Sequence, residues 1–415
     1  MIKKILSTQY IRSILKLTTG SILAQAIIII VSPLSTRLYT PEELGVYTLI
    51  LTFSAMFGPV ITGKYDVAIV SAKDSKETVD LIIGSIAITI AFTILITFGY
   101  SIYLREQPEI IKEVGGWAYI LIPILILQGF VNTLTSYNNR KKQYSLISQL
   151  YVLRTVIQNI GLVIFGFLKL GAVGLLISQL ISLIFGIRKQ GTHLLKENIF
   201  TGNIELKRIK TTLIKYKNQF LYSMPANFLN SASYSLMNIF ISGLYGLAVF
   251  GYYSIAYRIL GLPLSLVSMN ISKVFLQKAS EEKNKYDNYT KSFNQMIILL
   301  TIMAIPMVLL FILFAPNVFR IIFGDGWEVS GEYVRILAPM FGIRFIVTAL
   351  SPALVVSGKQ KLELILQSLF VLFSLLSYFI TKQLDFNFEF FLICISTTYS
   401  LVYLSFLVII YRLSK

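Results

Sequence analysis

Residues 38–47 read LYTPEELGVY, and residues 244–253 read LYGLAVFGYY. A shift of 206 positions lays Leu38, Tyr39, Gly45 and Tyr47 on Leu244, Tyr245, Gly251 and Tyr253. The chain has 415 residues, so the offset is half its length. Four identities in ten are a modest signal, but the setting strengthens them. Each stretch separates the first two long apolar runs of its own half. The simplest reading is an architecture used twice, with this element at the first turn of each copy.

Composition says what is duplicated. Hydrophobic residues make up 55% of the chain, charged residues 14%, and the mean hydropathy is +0.72. A soluble domain carries about a quarter charged residues. Here the charges are bunched between apolar runs of about 20 residues, the length of one helical membrane crossing. The runs are continuous and do not alternate with period two, which points to helices and away from a barrel. The expected fold class is an all-α integral membrane protein with about twelve transmembrane helices. In the first half they fall at 13–36, 44–63, 79–104, 116–137, 145–168 and 170–187. In the second they fall at 218–243, 247–272, 293–316, 333–357, 361–381 and 388–411. The one long polar insert, 188–217, is basic and central. The expected domains are an N-terminal six-helix lobe (1–187), a basic linker (188–217) and a C-terminal six-helix lobe (218–415).

The charges orient this layout. With the N-terminus cytoplasmic, 26 of the 37 Lys and Arg fall in inner segments, six in outer loops and five within helices. This satisfies the positive-inside rule, with both termini and the linker cytoplasmic. Topology therefore accounts for the net charge of +17 without a nucleic-acid partner. Attraction to anionic membrane lipids is expected. The N-terminal MIKKILSTQYIRSILKL lacks a small-residue cleavage site and reads as a lead into the first helix. Cys394 is alone, lies in the last apolar run and reads as packing.

Each half holds an even number of helices, so the copies are parallel, related by an axis along the membrane normal. Transporters often rock two such halves about a site near the midplane. Eight prolines inside expected helices, among them Pro33, Pro263, Pro306 and Pro339, remove backbone donors and favour kinks.

Five cations lie within expected helices: Lys16, Arg154, Arg258, Arg335 and Arg344. Lys16 and Arg335 are close enough to helix ends to reach the interface. Arg154, Arg258 and Arg344 lie ten to twelve residues in, about 15–18 Å deep, near the middle of a core about 30 Å thick. Such burial costs several kcal/mol, and no Asp or Glu lies deep enough to pair with them. Water in a cavity, backbone carbonyls or an anionic ligand remain as partners. A guanidinium fork binds phosphate oxygens in a bidentate way, so a cationic cavity receiving an anionic head group is the functional reading. The structural alternative is anchoring to carbonyls of neighbouring helices. Intramembrane amides, including Gln25 and Asn227, suit either interhelical bonding or sugar hydroxyls.

Other chemistries lack their motifs. The sequence has no P-loop, no HExxH, no Cys/His metal spacing and no nucleophile elbow. The only histidine, His193, reads as a solvated linker residue. The longest outer loop expected is about 16 residues, near FGDGWEVSGEYVR, too short for a catalytic domain. These features predict a transporter that is not an enzyme, has no cofactor and binds no metal.

Three stretches resemble the polysaccharide repeat-unit (O-antigen type) flippases of the multidrug/oligosaccharidyl-lipid/polysaccharide exporter superfamily. In 35–74 the matching residues are Arg37, Tyr39 to Glu43, Gly45 to Tyr47, and the triplet Lys64, Tyr65 and Asp66. Across 215–280 they are Pro225, Asn227, Gly251, Tyr253, Arg258, Leu260 and Pro263. The third stretch is FGDGWEVSGEYVRILAPMFGIRFI, 323–346. The resemblance implies two six-helix lobes forming a V. It also implies export of an undecaprenyl-pyrophosphate-linked oligosaccharide across the bacterial inner membrane, for O-antigen, capsule or lipopolysaccharide assembly. A polysaccharide polymerase and glycosyltransferases are the partners it implies. Arg258 both matches the pattern and lies deep, so it leads the candidate contacts. Arg154, Arg344, Arg37, Lys64, Asp66, Asn227 and Gln25 complete the set. A multidrug extruder of the same superfamily is the alternative, but the absence of deep carboxylates argues against it. A polymerase would need a larger outer loop.

Overall fold

The computed structural model describes residues 9–196, 205–359 and 361–415. Lys3 and Lys4 lie outside the described residues, as do the side chains of Lys16 and His193. Among the described residues every regular element is helical. Eleven segments are long and apolar enough to cross a membrane. One of them, Gln219–Tyr286, has 68 residues. At 1.5 Å per residue it would be about 100 Å long, over three times the apolar thickness. It carries the two crossings expected at 218–243 and 247–272, and the chain breaks between them at Gly246 (φ 83°, ψ 173°). The protein is an all-α, multi-pass membrane protein.

Two compact units divide the chain, Met1–Ser231 and Ala232–Lys415. The first contains α1 (Gln9–Leu38), α2 (Pro41–Phe57), the short α3 (Tyr65–Ser71), α4 (Ser75–Arg105), α5 (Pro108–Val114), α6 (Leu121–Arg140), α7 (Tyr144–Phe167) and α8 (Gly171–Ile184). Helices α9 (Ile187–Lys196) and α10 (Leu206–Lys215) follow, then the first turns of α11 (Met224–Pro263). α1 lies along α7, α7 packs on α8, and α6 packs on α3 and α4. A core of Ala68, Ile69, Leu81, Ile82 and Tyr137 holds α3, α4 and α6 together.

The second unit takes the rest of α11, then α12 (Met269–Tyr286), α13 (Thr290–Phe323), α14 (Glu328–Leu350), α15 (Ala353–Val356), α16 (Lys361–Leu384) and α17 (Phe388–Ser414). α14 is its centre, packing on α12, α13 and α17. The crossing with α13 is tight enough to need glycine. A Cβ on Gly331 would lie 2.4 Å from the Cα of Pro316. The outer loop expected near residue 323 is only the turn at 324–327, because α13 continues through Pro316 and α14 begins at Glu328.

The repeated motif marks equivalent breaks. Thr40 leaves the helical conformation (φ −74°, ψ 162°) and caps α2. The backbone N–H of Glu43 donates to its Oγ1, and its own N–H donates to Glu43 Oε2. Its counterpart after the shift is Gly246, which uses a left-handed φ instead of a cap. The preceding tyrosines make the same bond in each half. The Tyr39 hydroxyl donates to the Leu162 carbonyl on α7 (2.7 Å), and the Tyr245 hydroxyl to the Phe386 carbonyl just after α16 (3.0 Å). Both acceptors belong to the fifth crossing of their half or the turn that follows it.

The basic linker is structured where it is described. α9 and α10 are amphipathic helices that bury Leu194 and Ile209 and leave Arg188, Lys189, Lys207 and Lys210 exposed. Polar composition hid this, because a helix that buries one narrow stripe reads as mostly hydrophilic.

Candidate functional site

Arg154 sits in the middle of α7 and uses its donors at once. Its Nε donates to the Phe185 carbonyl (3.2 Å) and its Nη2 to Gln190 Oε1 (2.9 Å). Gln190, 1% exposed, is itself held in place. Its Nε2 donates to Thr135 Oγ1 (2.7 Å), and Asn138 Nδ2 donates to its carbonyl (2.9 Å). The α8–α9 turn thus wraps the guanidinium with carbonyl and amide oxygens, and no carboxylate takes part among the described residues. Such a bonded cation can orient a turn, with two of its five donors engaged there.

Arg344, on α14, is placed differently. Its Nη1 donates to the Tyr257 hydroxyl (2.6 Å). The guanidinium carbon lies 5.0 Å from the Tyr234 ring centre, 5.3 Å from Phe341 and 5.7 Å from Tyr257. The faces of these rings carry negative quadrupole density, which attracts the cation without neutralising it. Around this cage is a narrow pocket also lined by Tyr253, Tyr399 and Tyr403. The acids of this unit stay at helix ends: Glu328 and Glu332 open α14, Glu363 opens α16 and Glu389 opens α17. The unit therefore holds a deep cation with aromatic and hydroxyl company.

Arg258 lies half-buried on α11, next to Tyr257, and is held by interactions within the protein. Arg37 is exposed in the last turn of α1, where a cation faces the C-terminal carbonyls of its helix. Lys64 and Asp66 share a bend. Gly63 and Lys64 both have left-handed φ (61° and 63°), and α3 starts there. Asp66 is buried and accepts the Thr62 hydroxyl at 2.5 Å. Among the described residues no ion pair joins Lys64 to Asp66. Asn227 donates to the Ser223 carbonyl (2.7 Å), one turn before Ser231, whose hydroxyl donates to the Met56 carbonyl (2.8 Å). Gln25 is half-buried in α1. The candidates thus belong to separate local settings. Arg37, Lys64, Asp66, Arg154, Asn227 and Gln25 lie in the first unit, Arg258 and Arg344 in the second.

Two features escaped sequence reasoning. One is the tyrosine cage. Tyr253 and Tyr257, and Tyr399 and Tyr403, are four apart, so each pair lies on one helix face; that spacing was the available signal. The other is Asp80, which is fully buried near the start of α4. It accepts Nε of Arg208 (3.0 Å), Nη2 of Arg208 (3.0 Å) and the Thr212 hydroxyl (3.0 Å), all from α10. Glu77 accepts from Lys215 and from the Tyr216 hydroxyl in the same way. The hydrogen bond to Glu77 raises the Lys215 ammonium above the ordinary lysine value, and Asp80 does the same for Arg208. These bonds fasten the linker helix α10 to α4, across more than a hundred residues of chain.

Comparison with known proteins bears on the family and the fold. The family profile described as "Polysaccharide biosynthesis protein" matches residues 34–332. No curated protein matches the chain in sequence. Among solved structures, an inward-facing multidrug resistance MATE family transporter of the MOP superfamily is similar at TM-score 0.72. Its identity is 16%, with 96% of this chain and 94% of that one covered. The lipid II flippase MurJ, in an inward closed conformation, is similar at TM-score 0.73 and 15% identity, covering 96% of this chain and 87% of that one. A MOP superfamily transporter from Pyrococcus furiosus, whose binding pocket is described as having reverse polarity, is similar at TM-score 0.62 and 15% identity, covering 97% and 96%. At these identities the likeness is one of fold.

Proposed function

The chain belongs to the polysaccharide biosynthesis protein family, and from that premise we propose that it is a flippase for an undecaprenyl-pyrophosphate-linked oligosaccharide repeat unit. It moves the head group across the bacterial inner membrane by alternating access, while the prenyl tail stays in the bilayer, and so supplies O-antigen or capsule assembly. Both termini face the cytoplasm. Glycosyltransferases deliver the substrate, and a polymerase consumes it.

The observation that carries this reading is the deep, carboxylate-free setting of Arg344. A drug-type cation would need an acid there, whereas a pyrophosphate supplies the missing negative charge. Arg258, half-buried on α11 and matching the flippase pattern, serves as the second phosphate contact. Tyrosine faces suit sugar rings, which stack on aromatic surfaces. Arg154 has a positioning role, because two of its donors are engaged by Phe185 and Gln190. The lipid substrate of MurJ and the multidrug substrates of MATE transporters bracket what this fold can carry.

The test is flipping of a labelled prenyl-pyrophosphate oligosaccharide in sealed proteoliposomes. Wild type is expected to transport it, and Arg258→Ala and Arg344→Ala to lose most of that rate while inserting normally. Equal rates in all three would remove the arginines from the mechanism. Expulsion of a cationic drug with no movement of the lipid would make the protein a multidrug extruder.

A further inference from the structure

We propose that the outward face of α10 is a docking surface for anionic phospholipid, held against the headgroups of the leaflet where α4 begins. The proposal stands on α10 itself and does not rest on the flippase reading. α10 has two apolar faces. One is packed on α4: Ile209 is buried, and a Cβ on Gly84 would lie 2.6 Å from Leu213 Cδ2. The opposite side carries Leu206, Lys210 and Ile214, each four residues from the next and so on one stripe. Leu206 is 81% exposed and Ile214 55%. Lys207 flanks the stripe and is exposed, as are Lys210 and Lys217. A single exposed leucine needs no explanation. Two large apolar tips interleaved with lysines, on a helix whose other side is already packed, match a helix lying in the membrane interface. There the apolar tips enter the acyl boundary while the lysine stems carry their ammonium groups to the phosphates.

The neighbouring chain sets α10 at that depth. Lys215 ends the helix four residues before the apolar span Gln219–Tyr286 begins. The packed side is bonded to Glu77 and Asp80, near the start of the apolar span Ser75–Arg105. α10 thus lies at the ends of two crossings, where a bilayer places its headgroups. Charge then selects the lipid. Residues 205–218 hold five cations and one acid, Glu205. Arg208 and Lys215 are paired with Asp80 and Glu77. Lys207, Lys210 and Lys217 pair with no acid among the described residues. Asp74, which also acts on α10 from α4, is occupied in capping the backbone N–H of Glu77. The charge left over is positive, so an anionic lipid is the complementary occupant. Continuity with two crossings, and apolar tips beside the lysines, favour a lipid surface over an acidic protein.

Hydrogen exchange of residues 206–215 in the full chain tests this, in nanodiscs of phosphatidylcholine alone and of phosphatidylcholine with phosphatidylglycerol. Exchange is expected to be roughly tenfold slower with phosphatidylglycerol. The difference should vanish in about 1 M salt, where the screening length falls to about 3 Å. Lys207→Gln, Lys210→Gln and Lys217→Gln together are expected to remove the phosphatidylglycerol effect and leave the rate in phosphatidylcholine unchanged, because the bonds to α4 stay intact. Leu206→Ser with Ile214→Ser is expected to speed exchange roughly fivefold in both lipids. The salt comparison needs no variant and decides the matter if a variant fails to insert. Equal exchange in the two lipids, a phosphatidylglycerol effect that survives in the lysine variant, or one insensitive to salt would each overturn the proposal. Slow exchange in native membranes that phosphatidylglycerol nanodiscs do not reproduce would assign the face to a protein partner and overturn it as well.

Discussion

Replacing Arg154 with methionine separates an anchoring arginine from a ligand-binding one. Two hydrogen bonds disappear. The bond to the Phe185 carbonyl lies on the exposed side, at 3.2 Å. The bond to Gln190 is 2.9 Å long and partly buried. Bonds of charged donors contribute about 1.5–3 kcal/mol each, less where water competes. The larger effect falls on Gln190. At 1% exposure, with its amide N–H bound to Thr135, its Oε1 would be left without a donor. An orphaned buried acceptor costs about 1–3 kcal/mol. The partly buried bond and the orphaned acceptor together come to about 2.5–6 kcal/mol, a drop of several degrees or more in melting temperature. The double variant Arg154→Met with Gln190→Leu removes both partners, and most of the loss should return. Thermal denaturation of the four proteins in one detergent measures this. Arg154→Met melting with wild type, or additive losses in the double variant, would refute the reasoning.

Other expectations can be checked with the same material. Gly331→Ala sets a methyl 2.4 Å from the Pro316 backbone, against an optimum near 3.5–4.0 Å, so α13 and α14 must separate. A loss of about 1–3 kcal/mol is expected, read by the fluorescence of Trp327 at that crossing. Gly99→Ala, with nothing within 4 Å, serves as the neutral control. Tyr39→Phe and Tyr245→Phe each lose one hydroxyl bond and should lower stability by a similar amount, about 1 kcal/mol. A large loss in one and none in the other would mean that the repeat is not equivalent at this turn. The Lys215–Glu77 bond raises the ammonium above the ordinary lysine value, so its stabilisation is complete below that value and is lost as pH rises through the raised one. Hydrogen exchange of α10 should be flat after correction for intrinsic rates from pH 7 to about 10, and faster above.

Much of the fold was legible in one dimension. The bilayer demands long apolar runs with their backbone bonds satisfied inside each segment, so helix number and approximate span follow from hydropathy. The break at Leu38–Thr40 was legible because a capping residue, a proline and two glutamates stand in order there. Its echo at Gly246 was legible only through the repeat, since LYGLAVFGYY lies inside an unbroken apolar run of a 68-residue helical segment.

The site was legible in part. Depth along a helix singles out Arg154, Arg258 and Arg344, because rise per residue and membrane thickness are both fixed lengths. Depth does not say what each guanidinium touches. Arg154 meets Gln190, 36 residues away, and Arg344 meets Tyr257, 87 residues away. Asp80 meets Arg208 across 128 residues. Such partners are set by which helix faces pack together, a long-range choice that no local pattern encodes. The sequence by itself therefore determined a helical membrane architecture and picked out a few cations far from the helix ends. Tertiary packing alone decided that one of them is tied to a turn and another stands in a cage of tyrosines.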